Sequence, residues 1–200
     1  MRRFNNKDFI LHKRGVVSKE DCTYLIDFFE SNQGMQQPGT VGMKHDDREK
    51  KDTEIVLNFS NDITFGNIPK YLSPLIEEYK KQYLFLNEIS LWNIVSVYKL
   101  QRYYPGEGYF VLHCENGGPH PDKEMTKRML AWMIYLNDVK DGGHTSFPSQ
   151  KRKFQPRRGD VLLWPAYFTH PHHGITSKTQ TKYIVTGWYN FYPVEYCDEM

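Results

Sequence analysis

The feature that most limits how this chain can fold lies in its second half. There, short apolar segments separated by turn signals follow one another with no helical period between them. Residues 91–102, 108–113, 127–136, 145–147, 161–165 and 181–191 each read as a strand, rich in β-branched and aromatic side chains. Asp141-Gly142-Gly143 supplies a hairpin turn suited to positive φ, and Gly159-Asp160 opens the next segment in the same way. Strands in succession without intervening helices predict a β-sandwich or jelly roll.

The first half reads differently. Ser18 precedes a run with acids in its first turn (Glu20, Asp21) and an apolar face of Tyr24, Leu25, Phe28 and Phe29, which predicts a capped helix. A second helix is expected over 69–86, where Tyr71, Leu72, Leu75, Ile76, Tyr79, Tyr83 and Leu84 recur every three or four residues. Between them, residues 32–53 are polar, charged and glycine-bearing and predict a long surface loop beside the site, its charges forming a solvated face; residues 54–59 predict a short strand. The expected organisation is one domain over 1–200, mainly β with N-terminal helices: a helical support and loop over 1–90 and a catalytic core over 91–193.

Composition removes several classes of function. Lys and Arg total 26 against 24 Asp and Glu, so a net charge of +2 supplies no general field for nucleic acid or acidic membranes. No segment has the length and apolarity of a signal peptide or a membrane span. Three cysteines far apart, Cys22, Cys114 and Cys197, argue for reduced thiols rather than a disulfide framework. The expectation is a cytoplasmic protein with neither nucleic-acid nor membrane partners.

Chemistry first becomes visible at His113-Cys114-Glu115. On a strand, residues two apart share a face, so His113 and Glu115 can converge on one metal while Cys114 points away. A third ligand is on offer in Thr169-His170-Pro171-His172-His173-Gly174, where three histidines compete for the role. Two imidazoles and one carboxylate form the open-sided ligand set of non-haem iron(II). The last strand carries Lys182, Ile184, Thr186 and Trp188 on one face. A lysine buried with Ile and Trp asks for an anion; the same strand turned over would put Lys182 in solvent.

The motifs also fall in an order. Tyr103-Tyr104-Pro105-Gly106 is followed by His113-Cys114-Glu115, by Arg128 through Tyr135-Leu136-Asn137-Asp138, and by Gly142-Gly143-His144-Thr145-Ser146-Phe147-Pro148. Pro156-Arg157-Arg158-Gly159-Asp160, His172-His173-Gly174 and Thr181-Lys182-Tyr183 with Trp188 complete the series. It resembles the prolyl 4-hydroxylase-like branch of the Fe(II)- and 2-oxoglutarate-dependent dioxygenases, a double-stranded β-helix (jelly-roll) family. The resemblance implies His113, Glu115 and His172 as iron ligands, Lys182 as the partner of the far carboxylate of 2-oxoglutarate, and Tyr103, Tyr135 and Trp188 as further cofactor contacts. It departs from the family at Glu115, where Asp is usual, at His144, where an acid is frequent, and at Ala131, where Thr is common.

The implied reaction consumes O2 and 2-oxoglutarate, releases succinate and carbon dioxide, and hydroxylates a C–H bond, with a prolyl residue of a peptide or protein as substrate. A small molecule or free amino acid is the alternative substrate. A non-catalytic jelly-roll binding module and a zinc hydrolase are the readings from other classes. The nucleobase-demethylating branch holds its cofactor with C-terminal arginines, and this chain has none after Arg158.

Overall fold

The computed structural model describes residues 8–42, 44–59, 67–117 and 123–192; Cys197 lies outside them. In chain order the elements are β1 (Leu11–Lys13), α1 (Lys19–Ser31), β2 (Gln37–Pro38), β3 (Lys50–Lys51), β4 (Thr53–Asn58), α2 (Asn67–Gln82), β5 (Trp92–Ile94) and β6 (Val97–Tyr103). They continue with β7 (Gly108–Tyr109), β8 (Arg128–Tyr135), β9 (Thr145–Phe147), β10 (Arg152–Phe154), β11 (Val161–Pro165), β12 (His173–Gly174) and β13 (Lys182–Phe191). The architecture is mainly β.

An eight-stranded sheet runs β1-β11-β8-β13-β6-β4-β2, with β5 also on β13, and a three-stranded sheet runs β10-β9-β12. All of these pairings are antiparallel. The large sheet has two differently used faces, as the period of two requires. Along β8, Leu130, Trp132 and Ile134 join the core that α1 and α2 cover, while Ala131, Met133 and Tyr135 join a second core with Phe147 and Phe154 of the small sheet. The site lies on that second face. Gly187 makes the first core possible, because a Cβ there would stand 2.3 Å from the Trp132 ring.

The first helix begins as its sequence predicts, with Ser18 accepting from the Asp21 N–H at 3.0 Å. Its buried face is Cys22, Leu25 and Phe29, whereas Tyr24 is 43% exposed; the axis is rotated so that the small Cys22 lies inward instead. The second helix ends at Gln82 and tightens into a 3₁₀ turn over Leu84–Asn87, four residues earlier than its apolar spacing suggests. The segment expected as a single strand over 91–102 is two strands, β5 and β6, both lying on β13.

Two expectations are corrected. Residues 108–113 do not form one strand: β7 stops at Tyr109, and Phe110 and Leu112 are exposed, with no neighbouring strand to take them. Residues 32–53 are not a fully solvated loop. They contribute β2 and β3, and Lys50 and Asp52 are buried at 3% and 5% exposure. Their charges are neutralised locally, Lys50 lying 2.9 Å from Asp52 and 3.2 Å from Glu54, which is the condition for burying them. Among the described residues, no helix is long and apolar enough to cross a membrane.

Candidate functional site

A cavity of about 260 Å³ opens on the inner face of the large sheet, with His113, Glu115 and His172 at one part of its wall and Tyr103 and Lys182 at another. His113 and His172 are joined by reciprocal backbone bonds, His113 N–H to His172 O at 3.0 Å and His172 N–H to His113 O at 2.8 Å. That isolated bridge, rather than a continuous strand, holds the two rings together. Glu115 follows two residues later, and one ligand atom from each of the three lies within 4.8 Å of the others.

The ring orientations are determined by backbone. His113 Nδ1 lies 3.0 Å from Val111 O and His172 Nδ1 lies 3.1 Å from His170 O. A carbonyl only accepts, so each Nδ1 carries the proton, and in the neutral rings each Nε2 is a bare acceptor. Those Nε2 atoms face Glu115 Oε1 at 3.8 and 3.2 Å. Three acceptors converging in this way fit a cation between them, and the Nδ1–carbonyl bonds are the outer support that metal-bound histidines use. Burial and the neighbouring His172 push His113 toward its neutral form. Burial works to raise the Glu115 carboxyl, but the N–H bonds and charge that His113 and His172 offer when protonated outweigh it and hold it well below the ordinary range.

Competition among the histidines ends in the geometry. His170 is committed elsewhere, its Nε2 2.9 Å from Asp8 O and its Nδ1 2.9 Å from Thr169 Oγ1. His173 borders the cavity without joining the group of three. His172 is buried between Phe147 and Trp164, each ring centroid 5.1 Å away, and His113 stacks on Tyr109 at 3.5 Å. The longer arm of Glu115 is held at its other oxygen, Oε2, by the Trp188 indole N–H at 2.9 Å. Arg128 stacks on the Trp188 ring at 3.7 Å and approaches the same oxygen at 3.6 Å.

Lys182 is buried at 5% exposure on the face it shares with Ile184 and Trp188. Its ammonium lies 4.4 Å from the centre of the Tyr103 ring, donates to Gly143 O at 3.3 Å and, among the described residues, meets no carboxylate in an ion pair. Burial pulls its pKa down to about 8. Gly174, on the same side as His172, leaves room beside it; a Cβ there would reach to 3.9 Å from the Lys182 amine and 3.3 Å from Tyr109 N.

Of the other expected cofactor contacts, Tyr135 stands off the cavity wall and Trp188 on it. Tyr135 is fully buried behind the cavity wall, its hydroxyl 2.6 Å from Thr145 Oγ1 and 3.3 Å from Phe154 O; it is the hydroxyl of Thr145 that reaches the wall. Trp188 lines the cavity at the Glu115 end, near the iron position that the resemblance implies. Sequence reading missed Thr145, Tyr109 and the polar wall formed by Lys50, Lys99 and Gln101. The visible signal was an alternation in β6, where Lys99, Gln101 and Tyr103 share a face opposite the core residues Tyr98 and Leu100.

Residues 98–190 match the model of the 2OG-Fe(II) oxygenase superfamily. The chain is 25% identical over 181 residues to the Arabidopsis thaliana protein named "Probable prolyl 4-hydroxylase 3", covering 78% of this chain and 57% of that one. It thus spans little more than half the length of that curated relative. In fold it resembles the viral collagen prolyl hydroxylase of Paramecium bursaria Chlorella virus-1 solved with 2-oxoglutarate (TM-score 0.70, 19% identity, 94% of this chain and 98% of that). It also resembles a Trichoplax adhaerens prolyl hydroxylase in complex with a peptide fragment of the hypoxia inducible factor oxygen degradation domain (TM-score 0.69, 18% identity, 93% and 85%).

Proposed function

We propose that this chain is a prolyl 4-hydroxylase-like member of the 2OG-Fe(II) oxygenase superfamily, which its likeness over residues 98–190 supports, and an Fe(II)- and 2-oxoglutarate-dependent dioxygenase acting on a prolyl residue of a peptide or protein. The observation that carries this reading is a single cavity holding three convergent acceptors at His113, Glu115 and His172 and, separately, a buried ammonium at Lys182 that forms no ion pair among the described residues. One site asks for a cation and the other for an anion. A metal-chelating acid with a second, distant carboxylate satisfies both.

In this reading His113, Glu115 and His172 hold the iron, and Lys182 with Tyr103 receives the far carboxylate of 2-oxoglutarate. When bound, iron(II) and 2-oxoglutarate supply oxygen activation and hydroxylation of an unactivated C–H bond. The chain's own residues orient and insulate. Trp188 and Arg128 restrain the Glu115 carboxylate from outside, and the carbonyls of Val111 and His170 hold both imidazoles with Nε2 inward. Phe147, Trp164 and Tyr109 pack the rings and keep water from them. Tyr135 orients Thr145 at the wall between the two cores. The peptide substrate rests on likeness to prolyl hydroxylases.

The test is to add iron(II) and 2-oxoglutarate to the anaerobic protein and look for the weak visible charge-transfer band of the chelate. The expected result is a band that His113→Ala abolishes; no band, or one unchanged in that variant, would sink the assignment. Succinate release is then compared between proline-containing peptides and free amino acids. Turnover confined to free amino acids would replace the peptide substrate with a small one.

A further inference from the structure

Behind the Tyr103 and Lys182 end of the cavity lies a buried hydrogen-bond chain that neither the metal nor the stated cofactor contacts account for. Gln101, 4% exposed, stands on the cavity wall two residues before Tyr103. Its amide nitrogen donates to Asp52 Oδ2 at 2.7 Å and to the Tyr103 hydroxyl at 3.3 Å, and its amide oxygen accepts from Thr186 Oγ1 at 3.0 Å. Asp52 faces Lys50 with its other oxygen, at 2.9 Å. Both N–H donors of the Gln101 amide and one acceptor position of its oxygen are therefore used.

The orientation of that amide follows from its neighbours. Burial pushes the Asp52 carboxyl up while Lys50 and the Gln101 N–H favour its charged, accepting form; the NH₂ end of Gln101 faces it, and the oxygen end faces Thr186. The same NH₂ group reaches the Tyr103 hydroxyl, which accepts from it. A phenol that accepts from Gln101 retains its own hydrogen for a different partner. Tyr103 lines the cavity beside Lys182 and also neighbours Asp52, so that hydrogen has two competing partners: Asp52 and whatever anion the cavity receives.

Resting on the 2-oxoglutarate reading above, we infer that Gln101 is a positioning residue: it occupies Asp52 and turns the Tyr103 O–H into the cavity, making Tyr103 a second donor to the carboxylate that Lys182 binds. Asp52 is the competitor in this arrangement. It is buried within electrostatic reach of Lys182 and is already a hydrogen-bonding neighbour of the Tyr103 hydroxyl; without the Gln101 N–H on its oxygen, nothing offsets its claim on the Tyr103 hydrogen.

The experiment titrates the iron(II)-loaded, anaerobic full chain with 2-oxoglutarate and with pyruvate, which has the same 2-oxo acid end and no far carboxylate, reading the charge-transfer band. Gln101→Leu is expected to raise the Kd for 2-oxoglutarate about five- to tenfold, the scale of one lost hydrogen bond, and to leave pyruvate unchanged. Added to Tyr103→Phe, it is expected to cause no further loss, because the hydroxyl it directs is already gone. Gln101→Glu, which keeps the shape and removes the donor, is expected to weaken 2-oxoglutarate at least as much as Leu, so the role can be read even if Leu does not fold. Equal weakening of pyruvate, or full additivity with Tyr103→Phe, would overturn the role of Gln101 alone. A wild-type chain giving no band with 2-oxoglutarate would overturn the cofactor reading, and this inference with it.

Discussion

The two ends of the cavity solve opposite electrostatic problems with different amounts of chain. At the metal end, His113 and Glu115 come from one short stretch, His172 is tied to His113 by two backbone bonds, and the acceptors crowd within 4.8 Å. At the other end, an ammonium is assembled with Tyr103, Gln101 and Asp52 from three distant segments, and among the described residues it meets the Gly143 carbonyl and the face of the Tyr103 ring but no carboxylate in an ion pair. Both ends are left electrostatically incomplete. The local end gathers acceptors and the distributed end a donor cation, and this asymmetry is what the proposed chelating dicarboxylic ligand would match at both ends.

The comparison can be broken by removing either end. The largest effect is expected from His172→Ala or Glu115→Ala, which leaves two ligands and should abolish stoichiometric iron binding, measured by metal content after dialysis. Retained iron would mean the triad is not the metal site. Next is Lys182→Ala, expected to weaken 2-oxoglutarate by at least about thirtyfold, the scale for a buried charge partner, with iron content unchanged. A comparable loss of iron would mean the ends are not separate.

Trp188→Phe sharpens the distinction between holding the ligand and holding the cofactor. It removes the donor to Glu115 Oε2 and is expected to lower iron affinity about tenfold, with little change in 2-oxoglutarate affinity once iron is saturating. The same titrations run against pH test the distributed end. Burial brings Lys182 down to about 8 in the ligand-free protein, below its unfolded value of about 10.4. Affinity for 2-oxoglutarate should therefore fall as pH rises through 8 and the ammonium is lost. Stability of the ligand-free protein should move the other way over the same window: between about 8 and 10.4 the unfolded chain binds the extra proton, so unfolding becomes harder as pH rises. A flat affinity profile would remove Lys182 from the anion site.

The smallest change expected is in Ser18→Ala, remote from both ends. Losing the bond to Asp21 N–H should cost about 1 kcal/mol and a few degrees of Tm, with both ligand affinities intact.

Much of the metal end was legible in the sequence because its parts are near one another or ordered along the chain. The His113 and Glu115 pair, and the face shared by Lys182, Ile184 and Trp188, follow from spacing and alternation. Which of three histidines completes the site followed from resemblance, and the geometry brings in His172 because the carbonyl of Asp8 and the hydroxyl of Thr169 engage His170. The polar wall was not legible. Lys50 and Asp52 sit in a charged run, and a charged run reads as a solvated face until something shows that its charges cancel in the interior. Tyr135 misled for the opposite reason: its place in a motif suggested a ligand contact, while its hydroxyl is used by Thr145 and Phe154.

By itself, the sequence determined the mainly β architecture, the capped first helix and the face that Lys182 shares with Ile184 and Trp188. These depend on local spacing, on which face of a strand a side chain takes, and on the chemistry of side chains. Only the tertiary structure decided that β7 ends before His113, that a bridge between His113 and His172 does the work of a strand, and that Gln101 lies between Asp52 and Tyr103. Those are contacts between segments far apart in the chain. Their energies come from burial and from satisfying each polar group in three dimensions, which no single stretch of residues specifies.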